Sequence, residues 1–413
     1  MRVLLVNQFF WPDSSATSQL LTDLARGLTE RGHEVYAISA DGGYNLASTG
    51  SPPAVRIFRV KTSRFSRGRV GRVVSYLSFY FLAAFRAFSL PRPDLVVTLT
   101  TPPLLSLLGT ALKALRGCRH FIWEMDVYPD VAIDLNYFKA GGITDRLTGS
   151  LADFSRRRAD GIVALGECMK RRLVDRGVDA THIFVANNWA DGTAIQPIPR
   201  SGEATQLVLL YSGNLGLAHD FETLARAILE LKDDDRFRFV FVGSGGRQQE
   251  LMSLIESHNL RFVDVRPYVE RASLGESLSE GDIGLVTQRD VCCGSVVPSK
   301  VYGLLAAGRP ILFVGPREAT PAHIVQRFDC GWHVDCGDVA ALTHLLLHLA
   351  DHPEEVTHAG RNARNALLQH FDLPIGVARL AGILGADSQA YSAAELGPHL
   401  SVRSSLAEPS PTE

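Results

Sequence analysis

Two glycine-rich stretches of the sequence each follow a short apolar run. They cover 211–216 and 241–246, and each precedes a segment with the apolar spacing of a helix. Glycines at a strand-to-helix turn let backbone N–H groups approach an anion, and the helix N-terminus adds partial positive charge. A tight turn without a ligand has the same composition, so each stretch alone is a weak signal of a phosphate site.

A third candidate site is the segment 294–302, which places a proline, a serine and a lysine at a predicted helix start. Pro298 and Ser299 favour helix initiation, and Gly308 favours its end. Backbone N–H groups, the Ser299 hydroxyl and the Lys300 ammonium would then lie near one another, as a diphosphate leaving group requires. The alternative is an ordinary capped helix with a solvated lysine.

Carboxylates follow another predicted strand, in the segment 123–130. Asp126 is the best candidate for orienting or deprotonating an acceptor hydroxyl, although an aspartate that only fixes a loop explains it nearly as well. No D-x-D motif ends a predicted strand, since the acidic run 233–235 follows a helix. No carboxylate pair is placed as in a hydrolase that forms a covalent glycosyl-enzyme. We therefore expect neither a metal nor a cofactor.

The scaffold predicted for these residues is an α/β fold with two doubly wound, Rossmann-like domains. Apolar runs alternate with helical patterns, which indicates parallel sheets. A polar, proline-bearing linker near 196–202 separates two such series. The predicted units are a first domain (1–195), a second domain (196–371), a helix that packs back on the first domain (372–387) and a disordered tail (388–413). The predicted strands are 3–6, 35–39, 55–60, 95–99, 121–123, 161–164 and 183–185, then 207–211, 237–242, 261–265, 283–286 and 310–314.

Composition excludes several classes of protein. The net charge of -2 lacks the large basic excess of nucleic-acid-binding proteins. No apolar run approaches the roughly 18 residues of a membrane span, and the N-terminus lacks a signal-peptide pattern. The six cysteines show neither C-x-x-C pairs nor zinc-site spacing, which indicates reduced thiols. These features predict a cytoplasmic protein.

The order of the motifs resembles that of the family 4 retaining glycosyltransferases, which have the GT-B fold with two domains facing across a cleft. The resemblance covers roughly residues 1–385 and is greatest to the branch that builds bacterial exopolysaccharide, colanic acid, capsule and lipopolysaccharide. The segments that carry it are 3–12, 31–35, 211–216, 241–245, 281–285 and, most specifically, 298–310.

This resemblance implies that a sugar passes from a nucleotide-diphosphate sugar, bound by the second domain (196–371), to a glycan or lipid-linked acceptor, bound by the first domain (1–195). It also implies retention at the anomeric carbon and a reaction without a metal. The candidate catalytic residues are Asp126 and Lys300. The donor contacts that it implies are Gly213, Asn214, Gly216, Gly243, Gly245, Tyr268, Val269, Ser295, Val296, Ser299 and Lys300. The residues implied to close over the donor are Ser14, Ser15, Ala16, Thr17 and Ser18.

Four positions depart from the family's usual pattern. Asn214 and His219 stand where many members carry an arginine and a lysine. Ser295 and Gly303 stand where a pair of glutamates is usual, and the second of these usually holds the ribose hydroxyls. The resemblance then leaves Lys300, the helix termini and Arg309 to supply positive charge.

The stretch from 42 to 93 contains no Asp or Glu and nine Lys or Arg residues, and its second half is rich in aromatic side chains. Cations beside an aromatic helix suit an anionic membrane surface, so 56–92 is predicted to contact the inner face of the cell membrane. The alternative is an amphipathic helix packed on the sheet.

Two other functions fit the same double-Rossmann plan. A nucleotide-sugar 2-epimerase would need several catalytic acids and histidines in the cleft, and no such set stands out in the sequence. A non-catalytic GT-B protein that binds a sugar nucleotide or polysaccharide would tolerate the missing glutamates.

Overall fold

The computed structural model describes residues 1–41, 52–62, 69–199 and 206–386. Within these ranges it contains two parallel sheets, each with helices on both faces. This confirms the predicted fold class of two doubly wound α/β units. The tail predicted for 388–413, the middle of the linker and parts of the basic segment 56–92 lie outside the described residues.

The first sheet has seven parallel strands in the order β3-β2-β1-β4-β5-β6-β7. Its strands are β1 (Arg2–Val6), β2 (Glu34–Ala40), β3 (Arg56–Val60), β4 (Leu95–Thr98), β5 (Arg119–Trp123), β6 (Gly161–Ala164) and β7 (Ile183–Val185). Its helices are α1 (Ala16–Glu30), α2 (Arg69–Ser89), α3 (Ser106–Arg116), α4 (Asp130–Asp134), α5 (Ile143–Arg158) and α6 (Glu167–Asp175), with a short 3-10 turn at Ala180–His182.

The second sheet has six parallel strands in the order β10-β9-β8-β11-β12-β13. Its strands are β8 (Leu207–Ser212), β9 (Phe237–Val242), β10 (Val263–Arg266), β11 (Ile283–Thr287), β12 (Ile311–Val314) and β13 (Gly331–Val334). The remaining helices are α7 (Glu222–Glu230), α8 (Gln248–His258), α9 (Leu274–Ser279), α10 (Lys300–Ala306), α11 (Thr320–Phe328), α12 (Val339–Asp351), α13 (Pro353–Ala366) and α14 (Leu373–Ile383), with 3-10 turns at Arg271–Ser273 and Asp290–Cys292 and a π-helical turn at Leu367–Phe371.

The strand order reverses beside β1 in the first sheet and beside β8 in the second. Ligands of open α/β sheets bind at such switch points, beyond the carboxyl ends of the strands. A ligand of the first sheet is therefore expected beside the segments that follow β1 and β4, and a ligand of the second sheet beside those that follow β8 and β11. The interior residues of β1 and β8 are buried and almost entirely apolar, because helices cover both faces of a parallel sheet.

The helix α14 packs against α1 of the first unit, although it follows the second unit in the chain. Its Val377, Leu380 and neighbouring Leu384 are buried in the same core as Leu24 and Leu28 of α1. The backbone of Ala190 also bridges Asp372 at the start of this helix. The chain thus returns to its first sheet after completing the second.

Candidate functional site

The two units meet directly at the segment that follows β5. Asp126 forms an antiparallel backbone bridge with Val296, and the Val127 N–H donates to the Ser295 carbonyl at 2.8 Å. The candidate acceptor residue and two candidate donor contacts are thereby brought together across the cleft. Sequence spacing alone could not supply this contact, because about 170 residues separate its two sides.

The two glycine-rich stretches form loops that pack on each other. Gly213 and Gly243 have φ values of 124° and 131°, a region that L side chains rarely adopt. The Gly213 N–H donates to Val242 at 2.8 Å, and a Cβ on Gly243 would overlap the Gly213 carbonyl oxygen. Gly245 lies equally close to the Leu215 backbone. Both loops therefore require glycine.

A small pocket lies between these loops, lined by Tyr211, Gly213, Leu215, Phe241, Val242, Gly243, Ser244, Gln248, Leu251 and Val265. Tyr268 lies across its rim, since its hydroxyl donates to the Ser244 carbonyl at 3.3 Å while half of the residue stays exposed. Val269 is exposed beside it. An exposed aromatic ring at the rim can stack on a flat base.

Lys300 lies against the first glycine loop. Its ammonium nitrogen is 3.6 Å from the centre of the Tyr211 ring, and a Cβ on Gly213 would lie 3.8 Å from it. Nζ is buried and has no hydrogen-bonding partner among the described residues. Burial lowers the pKa of Lys300 well below its usual value. An unpaired buried ammonium beside a glycine loop is well suited to receive an anion.

His219 does not replace the lysine that many family members carry. Its Nδ1 donates to the Thr287 carbonyl at 2.6 Å, which fixes the tautomer. Burial, with the nearby charges of Lys300 and Arg247, lowers the pKa of His219 to about 3, so the ring stays neutral. His219 and Gly216 shape the loop near Asn214, but they add no positive charge.

Arg247 is a candidate that the sequence analysis missed. Its charge acts on His219 from the loop that begins α8, and its backbone N–H donates to the Leu215 carbonyl. One guanidinium nitrogen, Nη1, pairs with Glu250 at 2.8 Å. A basic residue directly after the second glycine stretch was the available signal, because glycine loops that bind phosphate are often flanked by cations.

The starts of two helices bear on the candidate site. α7 begins at Glu222, and the Asp220 carboxylate accepts the N–H of Thr223 in its first turn at 2.9 Å. The first glycine loop therefore does not run into a helix N-terminus. Ser299 precedes α10 but its hydroxyl makes no capping bond, and the residue is exposed.

Asp126 lies at the domain contact above a buried ion pair. Its backbone N–H donates to the Thr100 hydroxyl at 3.3 Å. Burial, and secondarily the charge of Glu124, raises the pKa of Asp126 to about 6. Glu124 itself is buried and pairs with Arg156, whose Nε lies 2.9 Å from its carboxylate. A carboxylate with a raised pKa in a cleft is a candidate general base.

Gln288, at the carboxyl end of β11, is a second residue that the sequence analysis missed. Its side-chain amide donates to the Cys292 and Val296 carbonyls at 2.9 and 3.0 Å. It therefore holds the loop that carries Ser295 and Val296 in place. Ser295 is fully buried and its hydroxyl donates to Cys292. A polar residue ending a central strand was the available signal.

The loop predicted to close over the donor is largely helical. Ala16, Thr17 and Ser18 belong to the first turn of α1, and Ser18 is buried. Ser15 is the residue before the helix, and its N–H donates to the Asp13 carboxylate at 2.8 Å. Of the five residues, only Ser14 and Ser15 therefore remain as loop.

Arg309 does not contribute charge to the site. Its guanidinium donates to the Ile198 and Ser279 carbonyls at 2.7 and 2.8 Å, which fastens the linker to the second unit. Gly303, at the place of the second family glutamate, lies inside α10 with only Leu278 within contact distance of a Cβ there.

The comparisons agree with this architecture. The model for a glycosyl transferase 4-like domain matches residues 16–189, and the model for glycosyl transferases group 1 matches residues 197–366. Together they cover most of both units. The chain belongs to the family 4 glycosyltransferases of the GT-B fold, and it is a glycosyltransferase.

Two relatives and two solved structures show the range of the similarity. The probable glycosyltransferase WbjE of Pseudomonas aeruginosa is 27% identical over 70% of this chain and 74% of its own. The putative colanic acid biosynthesis glycosyl transferase WcaI of Escherichia coli is 23% identical over 75% of this chain and 82% of its own. Sucrose-phosphate synthase from Thermosynechococcus elongatus shares the fold with a TM-score of 0.75 and 14% identity, over 92% of this chain and 97% of its own. Anabaena HepE in complex with UDP-glucose does so with a TM-score of 0.68 and 13% identity, over 94% of this chain and 100% of its own.

Across the described ranges, no helix is both long enough and apolar enough to cross a membrane.

Proposed function

We propose that the protein transfers a sugar from a nucleotide-diphosphate sugar to an acceptor hydroxyl, with retention at the anomeric carbon. The observation that carries this proposal is the buried Lys300 ammonium, which lies 3.6 Å over the Tyr211 ring without a hydrogen-bonding partner among the described residues. Burial favours the neutral amine of Lys300, and a bound anion would favour its protonated form, so this buried side chain without a hydrogen-bonding partner marks a place where an anion binds.

The leaving group of this reaction is a nucleoside diphosphate. As the glycosidic bond breaks, negative charge grows on its phosphate oxygen, and Lys300 with the backbone N–H groups around Gly213 would stabilise that charge. Tyr268 is placed to stack on the base at the rim of the pocket between the glycine loops. HepE, a fold relative, binds UDP-glucose, which supports a nucleotide-sugar donor here.

Asp126 would act on the hydroxyl group of the acceptor. It lies on the opposite side of the cleft from the donor loops and next to Val296 through the backbone bridge. In its ionised form the carboxylate would orient the acceptor hydroxyl and accept its proton. Its pKa of about 6 leaves it mostly ionised at neutral pH.

The proposed reaction uses no metal ion. The described residues contain no group of three or more His, Cys, Asp or Glu that could hold one. Positive charge at the donor site would come from Lys300 and Arg247 instead. Chelation with EDTA should leave the turnover of donor unchanged.

The proposed acceptor is a glycan or a lipid-linked glycan of a bacterial surface polysaccharide. The relatives WbjE and WcaI are a probable glycosyltransferase and a putative colanic acid biosynthesis glycosyl transferase, which supports this class of product. The membership in a transferase family favours this function over a 2-epimerase or a non-catalytic binding protein.

Contact with an anionic membrane through the segment 56–92 is part of the proposal. Among its described side chains, α2 exposes seven large apolar ones, of which Phe81 and Phe85 are 75% and 77% exposed. The set is Val73, Val74, Leu77, Phe81, Leu82, Phe85 and Phe88. The helix starts at the cleft, since Gln8 after β1 donates to Ser75 at 3.1 Å. A membrane under α2 would bring a lipid-linked acceptor to the cleft.

The experiment that tests retention is proton NMR of donor hydrolysis or transfer. An α-linked nucleotide sugar should first yield a product or free sugar in the α configuration, before mutarotation. First appearance of the β form would show an inverting enzyme and refute the stereochemical part of the proposal.

A further inference from the structure

α5 carries an exposed apolar stripe outside the segment 56–92. Ile143 and Leu147 are 86% and 61% exposed, and Leu151 and Phe154 continue the stripe along the same helix. The spacing of four, four and three residues keeps these side chains on one face. The buried residues of α5 lie on its opposite face, and they are Gly149, Ala152, Ser155 and Arg156.

Exposed cations flank this stripe. Lys139, Arg146, Arg157 and Arg158 are exposed, and Arg158 lies 4.7 Å over the Phe154 ring. The two carboxylates of the helix are occupied, because Asp145 accepts the Gly141 N–H and Asp153 pairs with Arg156 and Arg176. An apolar stripe with an exposed cationic border is complementary to an anionic lipid surface.

α5 lies in the same helical layer as α2. α3 separates them and is fastened to both: Arg116 donates to the Phe88 carbonyl at 2.7 Å, and the Thr110 and Ser155 hydroxyls are 2.8 Å apart. α2 leads from β3 to β4, α3 from β4 to β5, and α5 lies between β5 and β6, all of them parallel strands of one sheet. Each helix therefore starts at the cleft, and all three run in the same direction. Their outer faces point away from the same sheet.

We infer that the stripe on α5 is a second membrane-docking surface. The first unit would then contact an anionic bilayer through two helices, α2 and α5. The inference rests on the proposed membrane contact of α2 and extends it to a region that the basic segment does not include. Two parallel amphipathic helices on either side of α3 would fix the orientation of the cleft over the bilayer, whereas one helix would allow the protein to roll.

The test is co-sedimentation of the full chain with vesicles of phosphatidylglycerol and phosphatidylcholine, and with vesicles of phosphatidylcholine alone. The α5 variant is Ile143→Ser with Leu147→Ser. The α2 variant is Phe81→Ser with Phe85→Ser. The matched control is Val174→Ser with Leu368→Ser, which removes two exposed apolar side chains elsewhere.

We expect the α5 variant to bind anionic vesicles at least roughly tenfold more weakly than the wild type, because two apolar side chains leave the bilayer. The control should bind like the wild type, and melting curves of all variants should match. Wild-type binding that the α2 variant weakens and the α5 variant does not would overturn the inference and keep the proposed contact of α2. No binding by the wild type would refute both.

Light scattering without lipid tests the competing occupant of the surface, a second copy of the chain. A wild-type dimer that the α5 variant converts to a monomer would assign the stripe to self-association and overturn the membrane assignment.

Discussion

At the scale of single residues, Lys300 and Tyr211 form the most informative pair in the molecule. The ring face stabilises the ammonium where hydrogen bonds do not, and the tyrosine hydroxyl donates to the Asn214 carbonyl of the glycine loop at 3.0 Å. Tyr211 can therefore act on the donor site in two ways, through the lysine and through the loop.

A double-mutant cycle separates these two roles. We expect Tyr211→Leu to weaken binding of the preferred nucleoside diphosphate by roughly five- to thirtyfold, since a desolvated cation–π contact contributes about 1–2 kcal/mol. Tyr211→Phe keeps the ring and should cost less than about threefold. In a Lys300→Met background, Tyr211→Leu should change affinity little, as measured by calorimetry. An undiminished effect in that background would show that the ring acts on the loop alone.

The raised pKa of Asp126 predicts the acidic limb of the pH profile. The carboxylate acts as a base only when ionised, and burial raises its pKa to about 6, so kcat/KM should fall as the pH drops through about 6. Asp126→Asn should lower the rate by roughly a hundredfold or more and remove this limb from the residual activity. A limb that persists in the variant would assign the titration to another group.

At the scale of elements, the two glycine loops set the shape of the donor site. Gly243 approaches the Gly213 carbonyl too closely for any side chain, and its positive φ value adds strain for other residues. Gly246, three residues later, has only the Leu217 side chain at 3.6 Å from a Cβ. The same glycine-rich stretch thus contains essential glycines, such as Gly243, and a replaceable one, Gly246.

We predict that Gly243→Ala lowers the free energy of unfolding by about 1–3 kcal/mol and weakens diphosphate binding by roughly tenfold or more. Gly246→Ala is the matched control, and it should change both quantities little. Denaturant unfolding and calorimetry measure the two effects. Equal behaviour of the two variants would contradict the packing of the loops described here.

Much of the element order was predictable from the sequence. Apolar runs located twelve strands within one or two residues, because buried parallel strands are almost entirely apolar. β13 was missed, since this short edge strand starts at a glycine and is only partly buried. Residues 14–18 were predicted to close over the donor as a loop, but Ala16 and Thr17 already belong to α1, because the apolar spacing that marks this helix begins only after Ser18.

The candidate site was predictable only within each unit. Gly213, Gly243 and Lys300 stood out by residue type and position, and the structure places them together. The bridge between Asp126 and Val296, and the role of Gln288 in holding the second segment, depend on tertiary contacts that have no periodic signal. The roles of all these residues stay predictions.

At the scale of the whole molecule, α14 follows the second unit in the chain but packs against α1 of the first unit. Val377, Leu380 and Leu384 are buried in the core of the first unit, and Trp189 packs close to Gly376. The position of the first unit relative to the second thus depends on a helix that follows both units in the chain. Closure of the cleft must preserve this contact or bend the chain near Asp372.

Truncation tests the contribution of α14 to stability. We expect a chain that stops after Asp372 to lose about 4 kcal/mol or more of unfolding free energy, because three buried apolar side chains leave the core. A chain that stops after Ala386 keeps the helix and should melt like the full chain. Calorimetry compares the two, and equal stability would contradict the packing of α14 on α1.

The central claim is that Lys300 and the glycine loops hold the diphosphate of a nucleotide-sugar donor. A thermal-shift panel with UDP-, GDP- and ADP-sugars and their free diphosphates tests it most directly, using Lys300→Met and the exposed Lys232→Met as a matched control. The account predicts selective stabilisation by one nucleotide, in the sugar and the diphosphate form, which the Lys232 variant keeps and the Lys300 variant loses. No shift with any of these ligands at saturating concentration, or an equal shift in both variants, would contradict it.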